Sequence, residues 1–195
     1  MIKHLCIVLI LVLFSSCYKD EKADTGYQAI REFSRQKCKE NKWGMEVIGG
    51  GFSGDDFRLS LGFVMYDRYY TIPEARKILV ETMDEFLNYL NNNENIKKYI
   101  SCFPLTYKNI RLSFSFNGSN QSHVSSEYIC YVSKVVNCIA YRVWEYDGNR
   151  YDLQTVHREA YKDAFRAVKI DPSYVPEHVV FLRDKMVCTD GSIKN

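Results

Sequence analysis

Between Phe57 and Phe116 the spacing of apolar residues changes twice, and few folds satisfy both periods at once. Phe57 to Tyr66 (FRLSLGFVMY) alternates, placing Phe57, Leu59, Leu61, Phe63 and Met65 on one side. A period of two is the mark of a strand with one buried face. From Ala75 the period becomes 3.6: Ala75, Ile78, Leu79, Thr82, Met83, Phe86, Leu87 and Leu90 form a broad stripe, which predicts a helix buried along that side. Pro73 and Glu74 suit its first turn, where a missing N–H has no intrahelical partner and a negative charge meets the positive end of the helix dipole. The run Asn91-Asn92-Asn93 marks its end. Asn109 to Phe116 (NIRLSFSF) then returns to two, with Ile110, Leu112, Phe114 and Phe116 inward.

The remaining segments are read the same way. Tyr27, Ile30, Phe33 and Cys38 recur near helical spacing, predicting a first amphipathic helix over Tyr27–Lys39. Trp43 to Phe52 is a short apolar stretch containing Gly49-Gly50-Gly51, and with Phe57–Tyr66 it predicts a hairpin turning around the glycines. Ile96 to Phe103 reads as a short helical piece before Pro104. Tyr128 to Tyr146 is too long for one strand of usual length, so it divides into a hairpin turning near Ser133–Asn137, and Asp147-Gly148-Asn149 makes the next turn. Leu153, Val156, Ala160, Ala164 and Val168 predict a final helix, after which Pro172 and Pro176 force an irregular path.

Hairpins next to helices that do not alternate with single strands argue for an α+β fold. The expectation is a mostly antiparallel sheet of about five strands packed against two or three amphipathic helices, as a two-layer single domain. A chain of 195 residues suits one domain, and 46% hydrophobic residues supply a core. A net charge of +2 argues against nucleic acid as the main partner. Fifteen Tyr and eleven Phe are many for this length and fit half-exposed strands or a tyrosine-lined binding face.

The first residues have a different character. Met1-Ile2-Lys3-His4 is a short basic start, and Leu5 to Phe14 (LCIVLILVLF) is an apolar run of ten residues. Crossing a bilayer as a helix takes about 20 apolar residues, whereas the core of a signal peptide needs about 7 to 15. Ser15-Ser16-Cys17 then supplies small residues where a signal peptidase needs an extended, narrow backbone. This stretch resembles a bacterial lipoprotein signal, the lipobox, in which a large apolar residue and two small ones precede a cysteine. The resemblance implies a diacylglyceryl group on the Cys17 thiol, cleavage just before it, and attachment to a bacterial cell membrane or outer membrane with the domain on the exported side. Uncleaved anchoring and ordinary secretion are the other readings of Cys17. The segments ARKILVETMDEFLNYLNNN and FPLTYKNIRLSFSF also resemble those of uncharacterised bacterial envelope lipoproteins, which carry no known activity. The expected organisation is a signal peptide over 1–16, a tether over 17–26, the α+β domain over 27–170 and an irregular tail over 171–195.

Signatures of chemistry are sparse. Gly49-Gly50-Gly51-Phe52-Ser53-Gly54 matches G-x-G-x-x-G, but a dinucleotide loop must open a helix, and here a strand follows. His123, His157 and His178 are scattered, and no cysteine pair has C-x-x-C spacing, so no metal ligand set and no cofactor are expected. Glu81, Asp84 and Glu85 cluster on the flank of the central helix, where a solvated face explains them. Once Cys6 leaves with the signal and Cys17 is acylated, five cysteines remain, Cys38, Cys102, Cys130, Cys138 and Cys188; export would permit pairing, and an odd number leaves one out. Cys130 and Cys138 are the nearest candidates for a disulfide. They sit opposite each other if their hairpin turns symmetrically about Lys134, and do not if the turn is Lys134–Asn137. No catalytic residue is selected. The expectation is a non-enzymatic binding module for a protein or other envelope component, with an envelope hydrolase assembled from dispersed residues, or a small-ligand carrier, as alternatives.

Overall fold

The computed structural model describes residues 21–53, 56–100, 103–118 and 123–177. The chain runs α1 (Glu21–Asn41), β1 (Gly44–Ser53), β2 (Asp56–Tyr66), α2 (Ile72–Asn91), α3 (Glu94–Tyr99), a 3₁₀ turn (Tyr107–Asn109), β3 (Ile110–Asn117), β4 (Tyr131–Val135), β5 (Cys138–Tyr146), β6 (Tyr151–Ala160), α4 (Tyr161–Phe165) and a π-helical turn (Arg166–Ile170). The fold is α+β, with one six-stranded sheet in the order β1-β2-β3-β4-β5-β6. Neighbours pair antiparallel except β2 and β3, which run parallel. The sheet is therefore mixed, with six strands rather than about five. Joining β2 to β3 through α2 on one face makes the two strands run the same way, because such a crossover returns the chain to its starting edge.

Both alternating segments bury the predicted side. Leu59 and Ile110 pair, as do Leu61 and Leu112, and Phe63 and Phe114; all six are almost fully buried, as are Phe57, Met65 and Phe116. Against them lie Ala75, Leu79, Met83, Phe86 and Leu90 of α2, and Ala29, Ile30 and Phe33 of α1. The start of α2 is fixed locally: the Glu74 carboxylate accepts hydrogen bonds from the Thr71 N–H at 2.9 Å and the Thr71 hydroxyl at 2.7 Å, a reciprocal cap. Those bonds hold the Glu74 carboxyl below its ordinary pKa.

Four expectations are corrected. The helix α1 begins at Glu21, so residues 21–26 are helical rather than tether. Gly49, Gly50 and Gly51 lie within β1, paired with Ser60, Leu59 and Arg58, rather than at a turn; residues 54–55 lie outside the described residues. A Cβ at Gly50 would meet Leu59 Cδ2 at 3.2 Å, and one at Gly26 the same atom at 3.6 Å; the bare backbones let the start of α1 settle over this hairpin. The predicted final helix is half strand: Tyr151–Ala160 form β6, and only Tyr161 onward turns helical. Leu153 and Val156 are exposed on this edge strand, so their spacing does not report burial, and the tight turn after Tyr146 pairs the segment with β5. The β4–β5 turn is Val136–Asn137, with Val135 opposite Cys138, and Cys130 donates its N–H to Arg142 O at 2.9 Å. Cys130 is thus five residues away along the strand, roughly 16 Å at ~3.3 Å per residue, too far for a disulfide. Cys38, Cys130 and Cys138 are thiols in this structure, while Cys17, Cys102 and Cys188 lie outside the described residues.

One glycine is held by its neighbours. A Cβ at Gly62 would lie 2.9 Å from Ser113 Oγ and 3.0 Å from Val47 Cβ, so β1 and β3 close over β2 at that point. Gly62→Ala is expected to destabilise by about 1–3 kcal/mol through overpacking. Chemical denaturation checks this, and the loss should shrink when Ser113→Ala, which removes the Oγ atom nearest the new methyl group, is combined with it; equal loss with and without Ser113→Ala rules the explanation out.

Candidate binding cleft

Charged side chains collect in two places, one sealed and one open. The sealed group lies where β4, β5 and β6 meet α2. Lys134, Ile139 and Glu159 are consecutive partners across the three strands, so their side chains share a face. Both charged members are fully buried. Arg76 of α2 grips Glu159 in two-pronged fashion, Nε donating to Oε1 at 2.9 Å and Nη2 to Oε2 at 2.9 Å. The Tyr141 hydroxyl also donates to Glu159, and His157 Nε2 lies 3.6 Å from Glu159 Oε2. Burial, then the Glu159 charge and hydrogen bond, push the Tyr141 pKa far up, so the phenol keeps its proton.

Lys134 is neutralised differently. Its Nζ donates to Tyr107 O and, at 2.7 Å, to Ile110 O. It also sits 5.2 Å and 5.7 Å from the ring centroids of Tyr107 and Tyr161, which stack on each other at 4.7 Å. Burial lowers its pKa to about 7. These residue types resemble a catalytic set, but Tyr141, Lys134 and Glu159 are inaccessible from solvent. The arrangement serves as a polar core that fixes the sheet against α2.

The open group lies at the opposite end of β2, between the last turn of α1 and the outer side of α2. A cleft of about 470 Å³ is lined there by Trp43, Met65, Arg68, Ile78, Glu81 and Thr82, with Lys37, Glu40 and Glu85 at the same site. A recess of about 230 Å³ shares Trp43, Met65 and Arg68 and adds Tyr66 and Asp67. Trp43 forms the aromatic wall because the chain must leave α1 and enter β1 there: Lys42 takes a left-handed φ of 59°, and Trp43 turns its ring edge-on to Phe63 at 5.1 Å and Phe114 at 5.4 Å. Asp67, after β2, takes the same φ of 59° and donates its N–H to Asn117 O at 3.0 Å.

Across this cleft the charges divide into paired and unpaired. Lys37 bridges α1 to Glu85 of α2 and lies 3.2 Å from Glu40; burial lowers its pKa, but the two carboxylates outweigh that and leave it raised. Asp84, the third residue of the acidic cluster, pairs with Lys169 at 3.0 Å. The solvated-face reading therefore fits Asp84 and Glu85. Glu81 makes no ion pair or hydrogen bond among the described residues, and neither do the side chains of Lys42, Asp67 and Arg68.

The histidines stay apart: His123 packs against Trp144 and Tyr151, His157 belongs to the sealed group, and His178 lies outside the described residues. Among the described residues no group of three or more His, Cys, Asp or Glu side chains is placed to hold a metal ion. No helix there is long and apolar enough to cross a membrane. The glycine motif opens no helix. Trp43 and Arg68 carried no periodic signal; the only hint was a polar break after each flanking element, Asn41-Lys42 and Asp67-Arg68. No family model, curated protein or solved structure matches the chain.

Proposed function

We infer that the chain is a bacterial lipoprotein, attached through a diacylglyceryl group on Cys17 to a cell membrane or outer membrane. Its exported, two-layer α+β domain acts as a non-enzymatic binding module. The observation that carries this reading is the stretch from Lys3 to Cys17, a basic start, ten apolar residues and Ser15-Ser16 before the cysteine. Two or three acyl chains make such attachment stable, since one chain alone binds only marginally. The helix α1 begins four residues beyond Cys17, a span of at most about 14 Å, so an anchored domain would stand close against the headgroups.

The binding reading is supported by where the polar groups lie. Lys134 and Tyr141, whose protonation is shifted most, lie inside the core, which speaks against a hydrolase, while the cleft beside Trp43 is open and charged, unlike the enclosed apolar cavity of a carrier. Metabolic labelling with a fatty-acid probe tests the anchor. Native protein should label and sediment with membranes, and Cys17→Ala should do neither. Equal labelling of the two, or a mature N-terminus other than residue 17, overturns it.

A further inference from the structure

We propose that the cleft beside Trp43 binds a small zwitterion, the free ends of a short peptide or an amino acid, with its carboxylate on Arg68 and its ammonium on Glu81. The proposal rests on reading this cleft as the binding site and names the ligand it takes. Three observations carry it. First, the unpaired charges balance: Lys42 after α1, Asp67 and Arg68 after β2, and Glu81 of α2 line the cleft and its recess without pairing to one another. A ligand of either net sign would meet repulsion as well as attraction, whereas one carrying both charges matches both sets.

Second, Thr82 is 4% exposed, lines the cleft and makes no hydrogen bond among the described residues. Solvent reaches this hydroxyl through the cleft, and a ligand carboxylate or amide placed there can take over that hydrogen bond. Third, Trp43, Met65 and Ile78 line the same cleft, so the apolar part of a small ligand finds a contact beside the charges. The guanidinium of Arg68 adds shape, since its planar fork matches a carboxylate in a way an ammonium does not. The volume of about 470 Å³ is the size of a small-ligand site.

The test is a titration of the full chain with alanyl-alanine, followed by the indole N–H resonance of Trp43, which Trp43→Phe identifies. The expected result is a saturable shift, absent with N-acetyl-alanyl-alanine amide, which lacks both charges. Arg68→Gln and Glu81→Gln should each weaken binding about tenfold; both side chains are without partners, so neither change should disturb folding. The blocked dipeptide binding equally well, or both variants binding within twofold of the native chain, overturns the proposal. Maltose, a neutral disaccharide, separates the two ways of failing. A saturable shift with maltose and none with alanyl-alanine leaves the cleft a binding site and the zwitterion wrong. No shift with either overturns the proposal together with the reading of the cleft on which it rests.

Discussion

Arg76→Met is expected to cost about 3–5 kcal/mol of folding stability, because it leaves the Glu159 carboxylate inside the protein without its cation. Glu159 is fully buried and takes three hydrogen bonds from Arg76; water cannot replace them at that depth. The pair as a whole is a different matter. Removing both charges, as Arg76→Met with Glu159→Leu, should recover more than half of the loss, since an apolar pair of similar volume needs no desolvation of ions. Recovery will stop short of complete, because the Tyr141 hydroxyl loses its acceptor. Urea denaturation of the native chain, both single variants and the double variant gives the coupling directly. A loss below about 1 kcal/mol for Arg76→Met would mean that Glu159 is reached by solvent and that the sealed description is wrong.

Stability should also rise with pH between about 7 and 9, and Lys134 should be the cause. In the unfolded chain a lysine holds its proton up to about 10.4; in the fold burial lowers that to about 7. Between the two values the unfolded state binds one more proton than the folded state, so folding gains up to about 1.4 kcal/mol per pH unit. Below pH 7 both states are protonated, and the cost of burying the ammonium is present in full. From about 9 the Cys130 thiol, pushed up to about 11 by burial, offsets this gain, and above about 10 the buried phenols reverse the slope. Tyr141 and Tyr161 keep their protons in the fold, chiefly because burial disfavours the phenolate, while unfolded tyrosines lose theirs near 10. Lys134→Met, similar in length and without charge, should flatten the profile between 7 and 9 whatever it does to stability at a single pH. A native profile already flat over that window, or a variant with the same slope, excludes Lys134 as the source.

Local signals decided the part of the fold that can be read along one element at a time. The alternation of Leu59, Leu61 and Phe63, the stripe from Ala75 to Leu90 and the Pro73–Glu74 first turn all correspond to observed elements, because each period reports burial against a single surface. The method fails where burial is weak or shared. Leu153, Val156, Ala160, Ala164 and Val168 fall at helical intervals, yet Leu153 and Val156 face solvent on an edge strand, and pairing with β5 outweighs the pattern. It fails differently for Lys134 and Glu159, since a charged residue in a strand reads as outward-facing until Arg76, or the carbonyls of Tyr107 and Ile110, are known to be waiting inside. The cleft was illegible for a third reason: its residues come from the ends of α1 and β2 and the side of α2, and only folding assembles them. The reading of Cys17 rests on its neighbours in the sequence alone, and the labelling of Cys17→Ala tests it.

The parallel contact between β2 and β3 has a consequence for the order in which the molecule assembles. The other neighbouring strands are joined by shorter connections, the longest running from Asn117 to Tyr131, which close more quickly. Residues up to Tyr66 can therefore form one block around the β1–β2 hairpin, and residues from Ile110 to Ala160 a second block of four strands. Only the β2–β3 junction must wait for residues 67–109 to be threaded through α2, and a closure of that length carries a larger entropy cost than any hairpin. Docking of these two blocks should set the folding rate, and a side chain at their junction, such as Leu61 or Leu112, governs that rate more than one in either hairpin.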